Sequence, residues 1–239
     1  MENFTLEGPL GPIECIVEKN RSEKEQVLIM AHGFRGSRES GGRALGIAQQ
    51  CACCCSVVRF NFTGTQILSL QVKELQAVIK AVAERDPDCK IFLLGRSMGG
   101  AASLITASLE PAVAKLILWA TPNNMRETFK HVMTEEYYNY VDAGNTLEFT
   151  DDRGPCSLTP DFLTDFDNYD LEAILAAWNR EPILLLHCEG DTTVVVEQAK
   201  RNAAILGERG HLVLFPEGDH SFTDHSEKAG ALIAAWLDK

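Results

Sequence analysis

Hydrophobic positions in this chain fall into short continuous runs and into stripes spaced by three and four. The runs at 26–31 ("QVLIMA"), 56–62 ("SVVRFNF"), 91–94, 115–119, 182–187 and 212–215 have the length and apolar density of strands buried on both faces. Near the start, "FTLEG" and "IECIVE", joined by "PLGP", read as an antiparallel hairpin. Between the runs lie helical stripes. Leu68, Val72, Leu75, Ile79 and Val82 step by four and three, and Leu232, Ile233, Trp236 and Leu237 share one face of a final helix. Further helices are predicted over 38–51, over 99–109 and after Val196. Strand and helix patterns alternate, which predicts an α/β fold: a mostly parallel eight-stranded sheet with helices on both faces.

One stretch breaks the rhythm. From 123 to 180 there is no strand-like apolar run. The pattern there predicts a helix over 125–140, a small hairpin in "LEFTDDRGPCSLT" and a helix over 171–178. A loop of this length without structure of its own would be out of place in a compact domain. It is read as a cap, 123–180, inserted into a core made of 1–122 and 181–239. The cap carries many aromatic residues, including Phe129, Tyr137, Tyr138, Tyr140, Phe162 and Tyr169.

Composition narrows the class. The 239 residues are 45% hydrophobic with a formal net charge of −12. That is enough for one substantial core, and an acidic surface argues against nucleic acid or an anionic membrane as partner. The first residues, "MENFTLEGPLGPIECIVE", lack a basic segment followed by an apolar one. A cytoplasmic location is therefore expected. The oligomeric state stays open, a homodimer included. Of eight cysteines, four fall in "CACCC". Zinc sites usually draw thiolates from two separated knuckles, and here there is no second one, so apolar packing is expected and no metal.

The chemistry gathers around "IFLLGRSMGG". An apolar run stops at Ser97, flanked by Gly95 and Gly99, and small residues open the next helix. A sharp strand-to-helix turn needs small neighbours and lifts the serine hydroxyl above the sheet. A hydroxyl is a poor nucleophile without an adjacent base. Of six histidines, His220 in "FPEGDHSF" follows the last strand, at the sheet edge where ligands collect. His225 is read as a helix-surface residue, with Asp224 and Glu227 as a capping box. The base needs an acid to hold its tautomer. Asp191, after the strand "PILLL", fits, with Glu189 as its rival and Asp219 as a turn residue. An oxyanion hole needs two backbone N–H groups, expected from Met98 and from Phe34 in "HGFRGS". His32 in the same loop is read as structural.

Taken together, "AHGF", "RFNF.G", "GRSMGG", "HCEGDTTV" and "GDHSF" resemble the α/β-hydrolase superfamily over nearly the whole chain. The cap with its hairpin resembles that of the cinnamoyl and feruloyl esterase branch. The resemblance implies an α/β-hydrolase fold and a serine carboxylesterase. Its substrate would be a small-molecule ester with a small or aromatic acyl group, and no cofactor or metal would be needed. Peptidase or thioesterase chemistry on the same scaffold, and a non-catalytic binding role, are the competing readings. Tyrosines in the cap would suit a phenolic acyl group.

Overall fold

The structure is a computed structural model describing residues 2–21, 25–64 and 66–239. In chain order, β1 (Phe4–Gly8) and β2 (Gly11–Glu18) form a hairpin, followed by β3 (Gln26–Ala31), α1 (Arg43–Cys51), β4 (Ser56–Phe60) and α2 (Leu68–Arg85). Then come β5 (Lys90–Arg96), α3 (Met98–Leu109) and β6 (Val113–Trp119). The excursion after β6 holds α4 (Met125–Val132), α5 (Glu135–Asp142), the hairpin β7 (Leu147–Asp151) and β8 (Gly154–Leu158), α6 (Asp161–Thr164) and α7 (Leu171–Ala176). The chain returns through β9 (Ile183–Cys188), α8 (Val196–Leu206), β10 (Gly210–Phe215) and α9 (Ser226–Leu237). Eight strands make one sheet in the order β1-β2-β4-β3-β5-β6-β9-β10. From β4 to β10 every pairing is parallel, and only β1–β2 and β2–β4 are antiparallel.

Side chains alternate across a strand, so each central strand feeds two cores. Ile29, Leu93, Leu118 and Leu185 point to the side covered by α2 and α3. Leu28, Phe92, Leu94, Trp119 and Leu186 point to the side covered by α1 and α9. This is why the strands read as unbroken apolar runs. Cys51, Cys54 and Cys55 are buried in the second core while Cys53 is exposed. Among the described residues no group of three His, Cys, Asp or Glu is placed to hold a metal, and no helix is long and apolar enough to cross a membrane.

Several predicted boundaries move for local reasons. The helix predicted over 38–51 starts at Arg43, because Ser40, Gly41 and Gly42 have positive φ and cannot continue an α-helix. The strand predicted over 56–62 ends at Phe60, and the Phe62 N–H donates to His32 Nε2 (3.1 Å) instead of to a strand. The helix predicted over 125–140 is two helices. Met133 is extended, and the Thr134 hydroxyl caps a new start by accepting from the Tyr137 N–H (3.3 Å). The helix predicted over 171–178 ends at Ala176. His225 is the residue before α9 rather than on its surface. Its Nε2 meets the Pro216 carbonyl (3.0 Å), and no side chain caps that helix end.

A buried polar seam joins the start of the excursion to α8. Gln198 Oε1 accepts from the N–H groups of Asn123 (2.9 Å) and Asn124 (3.1 Å), and its Nε2 donates to Thr128 Oγ1 (2.8 Å). Asn123 Nδ2 donates to Asn202 Oδ1 (2.9 Å). Gln198→Leu removes the shared acceptor and leaves the buried Asn123 N–H without one. The expected cost is about 2–3 kcal/mol in urea unfolding, in the range for buried groups left unpaired. A loss below about 0.5 kcal/mol would mean that water replaces Gln198.

Candidate active site

Ser97 sits between β5 and α3 with φ 54° and ψ −126°. A non-glycine residue in that region is strained and persists only where its surroundings demand it. Here the Ser97 N–H donates to the Trp119 carbonyl (2.9 Å), and its own carbonyl accepts from the Gly100 N–H (2.8 Å). The turn is too crowded for larger neighbours. A Cβ on Gly95 would run into the Gly99 carbonyl and Ser103 Oγ, and one on Gly99 into the His32 carbonyl. The sequence-level expectation of small residues on both sides of Ser97 thus has a steric cause.

Asp191 and His220 come from the loops after β9 and β10, and the parallel register of those strands brings the loops side by side. His220 Nδ1 donates to Asp191 Oδ2 at 2.8 Å. The Asp191 side chain is fully buried and that of His220 is 15% exposed. Asp191 Oδ1 also accepts from the N–H groups of Thr193 (2.8 Å) and Val194 (2.9 Å). Burial works against the Asp191 charge. The His187 ring close by, the hydrogen bond from His220 and the Val194 N–H outweigh burial and hold the carboxyl well below its usual range. For His220, burial pushes the imidazole below its ordinary value, the Asp191 carboxylate opposes this, and the Arg96 charge adds to the lowering. Glu189 is exposed, and Asp219 accepts from the Ser221 and Thr223 N–H groups in a turn.

Ser97 and His220 line one cavity of about 280 Å³, together with Phe34, Met98, Met125 and Phe129. Among the described residues the Ser97 hydroxyl and the His220 ring share no direct hydrogen bond. Such bonds are often long before substrate binds. Met98 opens α3, so its N–H is one of the orphan donors of a first helical turn. Gly33 and Phe34 face Ser97 from the loop after β3. His32 cannot serve as a second base. Its Nδ1 donates to the Gly33 carbonyl (2.9 Å), its Nε2 accepts from Phe62, and burial lowers its pKa to about 4. A larger groove of about 500 Å³ between Arg126 and Leu171 contains no nucleophile and base together.

Three features escaped the sequence reading. His187, inside β9, places Nε2 2.7 Å from the Val194 carbonyl and 3.4 Å from Asp191 Oδ2, so it braces the acid from behind. Arg153, in the turn of the small hairpin, reaches the cavity. The cap tyrosines do not. Tyr137 and Tyr140 are exposed, Tyr138 takes a hydrogen bond from Arg126, and the Tyr169 hydroxyl meets Ser69. Among the excursion's aromatics Phe129 lines the cavity. It packs on Phe34 (ring centroids 5.1 Å) and on Phe162 and Phe166 behind.

A family model described as "Serine aminopeptidase, S33" matches residues 65–141. No curated protein matches the chain. Among solved structures, Est1E from Butyrivibrio proteoclasticus is similar with a TM-score of 0.81 and 17% identity, over 100% of this chain and 96% of that one. A second Est1E structure, with ferulic acid bound, has a TM-score of 0.78 and 16% identity over 98% and 96% of the two chains. The esterase domain of a Rhodothermus marinus protein has a TM-score of 0.77 and 20% identity over 99% and 97%. With this sheet order, a strained serine turn at the end of β5 and end-to-end overlap with these structures, the chain has the α/β-hydrolase fold.

Proposed function

We propose that the protein is a serine hydrolase that cleaves carboxylic esters of small or aromatic acyl groups. The observation that carries this reading is the 2.8 Å Asp191–His220 pair opening onto the cavity that Ser97 faces. In this reading Ser97 Oγ attacks the ester carbonyl while His220 Nε2 takes its proton. Asp191 holds Nδ1–H and stabilises the imidazolium. The N–H groups of Phe34 and Met98 receive the oxyanion. His220 then protonates the departing alkoxide, and a water it activates releases the acid.

Residues 123–180 act as a cap over a core of 1–122 and 181–239, contributing Met125, Thr128, Phe129, Val132 and Arg153 to the cavity wall. A cavity of about 280 Å³ lies just below the usual span of ligand pockets, about 300–1,000 Å³. This supports compact acyl groups over long alkyl chains. The ferulic acid bound to Est1E supports an aromatic one.

The family model at 65–141 raises aminopeptidase chemistry as a second reading. Such an enzyme must hold a substrate ammonium, which calls for a carboxylate at the site. No Asp or Glu is among the cavity's lining residues, and two arginines are. The test is a panel of 4-nitrophenyl acetate, butyrate and palmitate, methyl ferulate, and amino-acid 4-nitroanilides. Hydrolysis of the short and aromatic esters, with slow turnover of palmitate and of the anilides, is expected. Faster anilide than ester turnover would replace the esterase by the peptidase.

A further inference from the structure

The cavity beside Ser97 has a charge at odds with the rest of the molecule. The chain carries 34 acidic and 22 basic residues. Yet the ionisable residues lining this cavity are Arg96, Arg153 and His220, without a single carboxylate. The nearby acids are already committed. Asp191 is hydrogen-bonded to His220, and Asp219 is turned into its own loop, where it accepts from Ser221 and Thr223. Asp151, beside Arg153 in the hairpin turn, is held by Arg35 through Nε (3.1 Å) and NH2 (2.5 Å). Among the described residues neither Arg96 nor Arg153 forms an ion pair.

Both guanidinium groups are positioned rather than loose. Arg96 NH2 donates to the His220 carbonyl (3.2 Å) and to Ser221 Oγ (3.2 Å), and the group lies 5.7 Å over the Trp119 ring. Its Nε is buried without an acceptor. Arg153 NH1 donates to the Arg35 carbonyl (3.2 Å), which holds the side chain across the loop that carries Phe34. Burial and the Arg43 charge lower the Arg96 pKa to about 10 against the opposing pull of the Asp191 and Asp219 carboxylates, so it stays cationic at neutral pH. Two cations in the wall of one cavity, with no carboxylate in its lining, form a good receptor for an anion. Guanidinium donors match the two oxygens of a carboxylate.

We propose that Arg96 and Arg153 form an anion subsite next to Ser97, and that the preferred substrates are esters carrying a carboxylate near the scissile bond. The proposal rests on the esterase reading for its chemistry, while binding of the anion can be read without turnover. Arg96 approaches from the side of the His220 loop and Arg153 from the side of Phe34. The carboxylate can therefore belong to either half of the ester, and the probes separate the two.

The experiment compares isosteric pairs differing in one charge. On the acyl side, the mono-4-nitrophenyl ester of glutarate is set against the 4-nitrophenyl ester of glutaramic acid. On the alcohol side, 4-acetoxybenzoate is set against 4-acetoxybenzamide. The anionic member of at least one pair should show about tenfold higher kcat/KM, as expected for one charge-assisted hydrogen bond. Arg153→Gln and Arg96→Lys are then compared by the ratio of anionic to neutral kcat/KM. This ratio is insensitive to a general loss of catalysis. Arg153→Gln should lower it severalfold, and because Arg153 is exposed its share should shrink in high salt. Arg96→Lys keeps the charge but loses the fork, and should lower the ratio less than Arg96→Gln. In parallel, glutarate and benzoate binding to the Ser97→Ala protein is measured by calorimetry, with and without Arg153→Gln. Equal rates within both pairs, with neutral esters turned over, overturn the subsite and leave the esterase standing. If no ester is hydrolysed, the esterase reading falls. The subsite is then decided by calorimetry, where binding weakened by Arg153→Gln supports it and absence of binding by both carboxylates overturns it.

Discussion

Ser97→Ala is expected to lower kcat by roughly 10⁶-fold while the protein stays folded. The substitution deletes a single oxygen at a position whose backbone is set by the Trp119 carbonyl, the Gly100 N–H and the crowding of Gly33. None of those contacts uses the hydroxyl. A fluorophosphonate probe should label Ser97 in the native protein and nothing in the variant. Burial raises the thiols of Cys51 and Cys15, the latter to about 12, and that keeps them from competing as nucleophiles. Retained turnover or labelling of a cysteine would remove Ser97 from the mechanism. Ser97→Gly should be equally inactive and more stable, because glycine relieves the cost of φ 54°. A nucleophile kept in strained backbone at the expense of stability is the expected mark of a site held for chemistry.

Asp191→Asn is the second large effect, a fall in kcat of roughly 10³–10⁴ with the fold intact. The geometry gives the reason. Oδ1 accepts from the N–H groups of Thr193 and Val194, so an asparagine must keep its oxygen there. Its NH2 is then turned toward His220 Nδ1, where the carboxylate had accepted. The imidazole is forced to carry its proton on Nε2 and can no longer take one from Ser97. Glu189→Gln, on the exposed rival carboxylate, should leave kcat within about twofold, and the opposite ranking would reassign the acid. The pH profile supplies a separate reading. His220 acts as base only when neutral, so activity is lost as pH falls through its pKa. Burial lowers that pKa, so the acid limb should lie below the ordinary histidine value of about 6.5. The Asp191 carboxylate raises the His220 pKa against burial, so whatever activity remains in Asp191→Asn should persist to lower pH still. An acid limb above about 6.5 in the native protein would show that another group sets it.

Much of this architecture was legible in one dimension because the physics behind it is local. A strand covered on both faces must be apolar at every position, and a turn as tight as that at Ser97 must be flanked by glycine. Ser97, Asp191 and His220 each follow a strand run, so their arrival at one sheet edge is a consequence of parallel topology. His32 was legible as structural because it precedes a glycine turn, and its two ring nitrogens are both used on backbone groups.

What the chain alone left open depends on contacts between distant segments. The break of the helix at Met133 comes from a capping competition that hydrophobic spacing does not register, and of Tyr137, Tyr138 and Tyr140, expected to suit a phenolic acyl group, two face solvent. His187 looks like one more residue of a buried strand until the loop of Asp191 folds back over it. Arg153 sits in an ordinary turn, and only the folding of the small hairpin against the Phe34 loop carries it to the cavity. Periodicity and turn chemistry act within a few residues and therefore determine the sheet, its helices and the turn at Ser97. The charge and shape of the cavity arise from side chains some sixty to over a hundred residues apart, as with Arg153, Arg96 and His220, and tertiary packing alone brings them together.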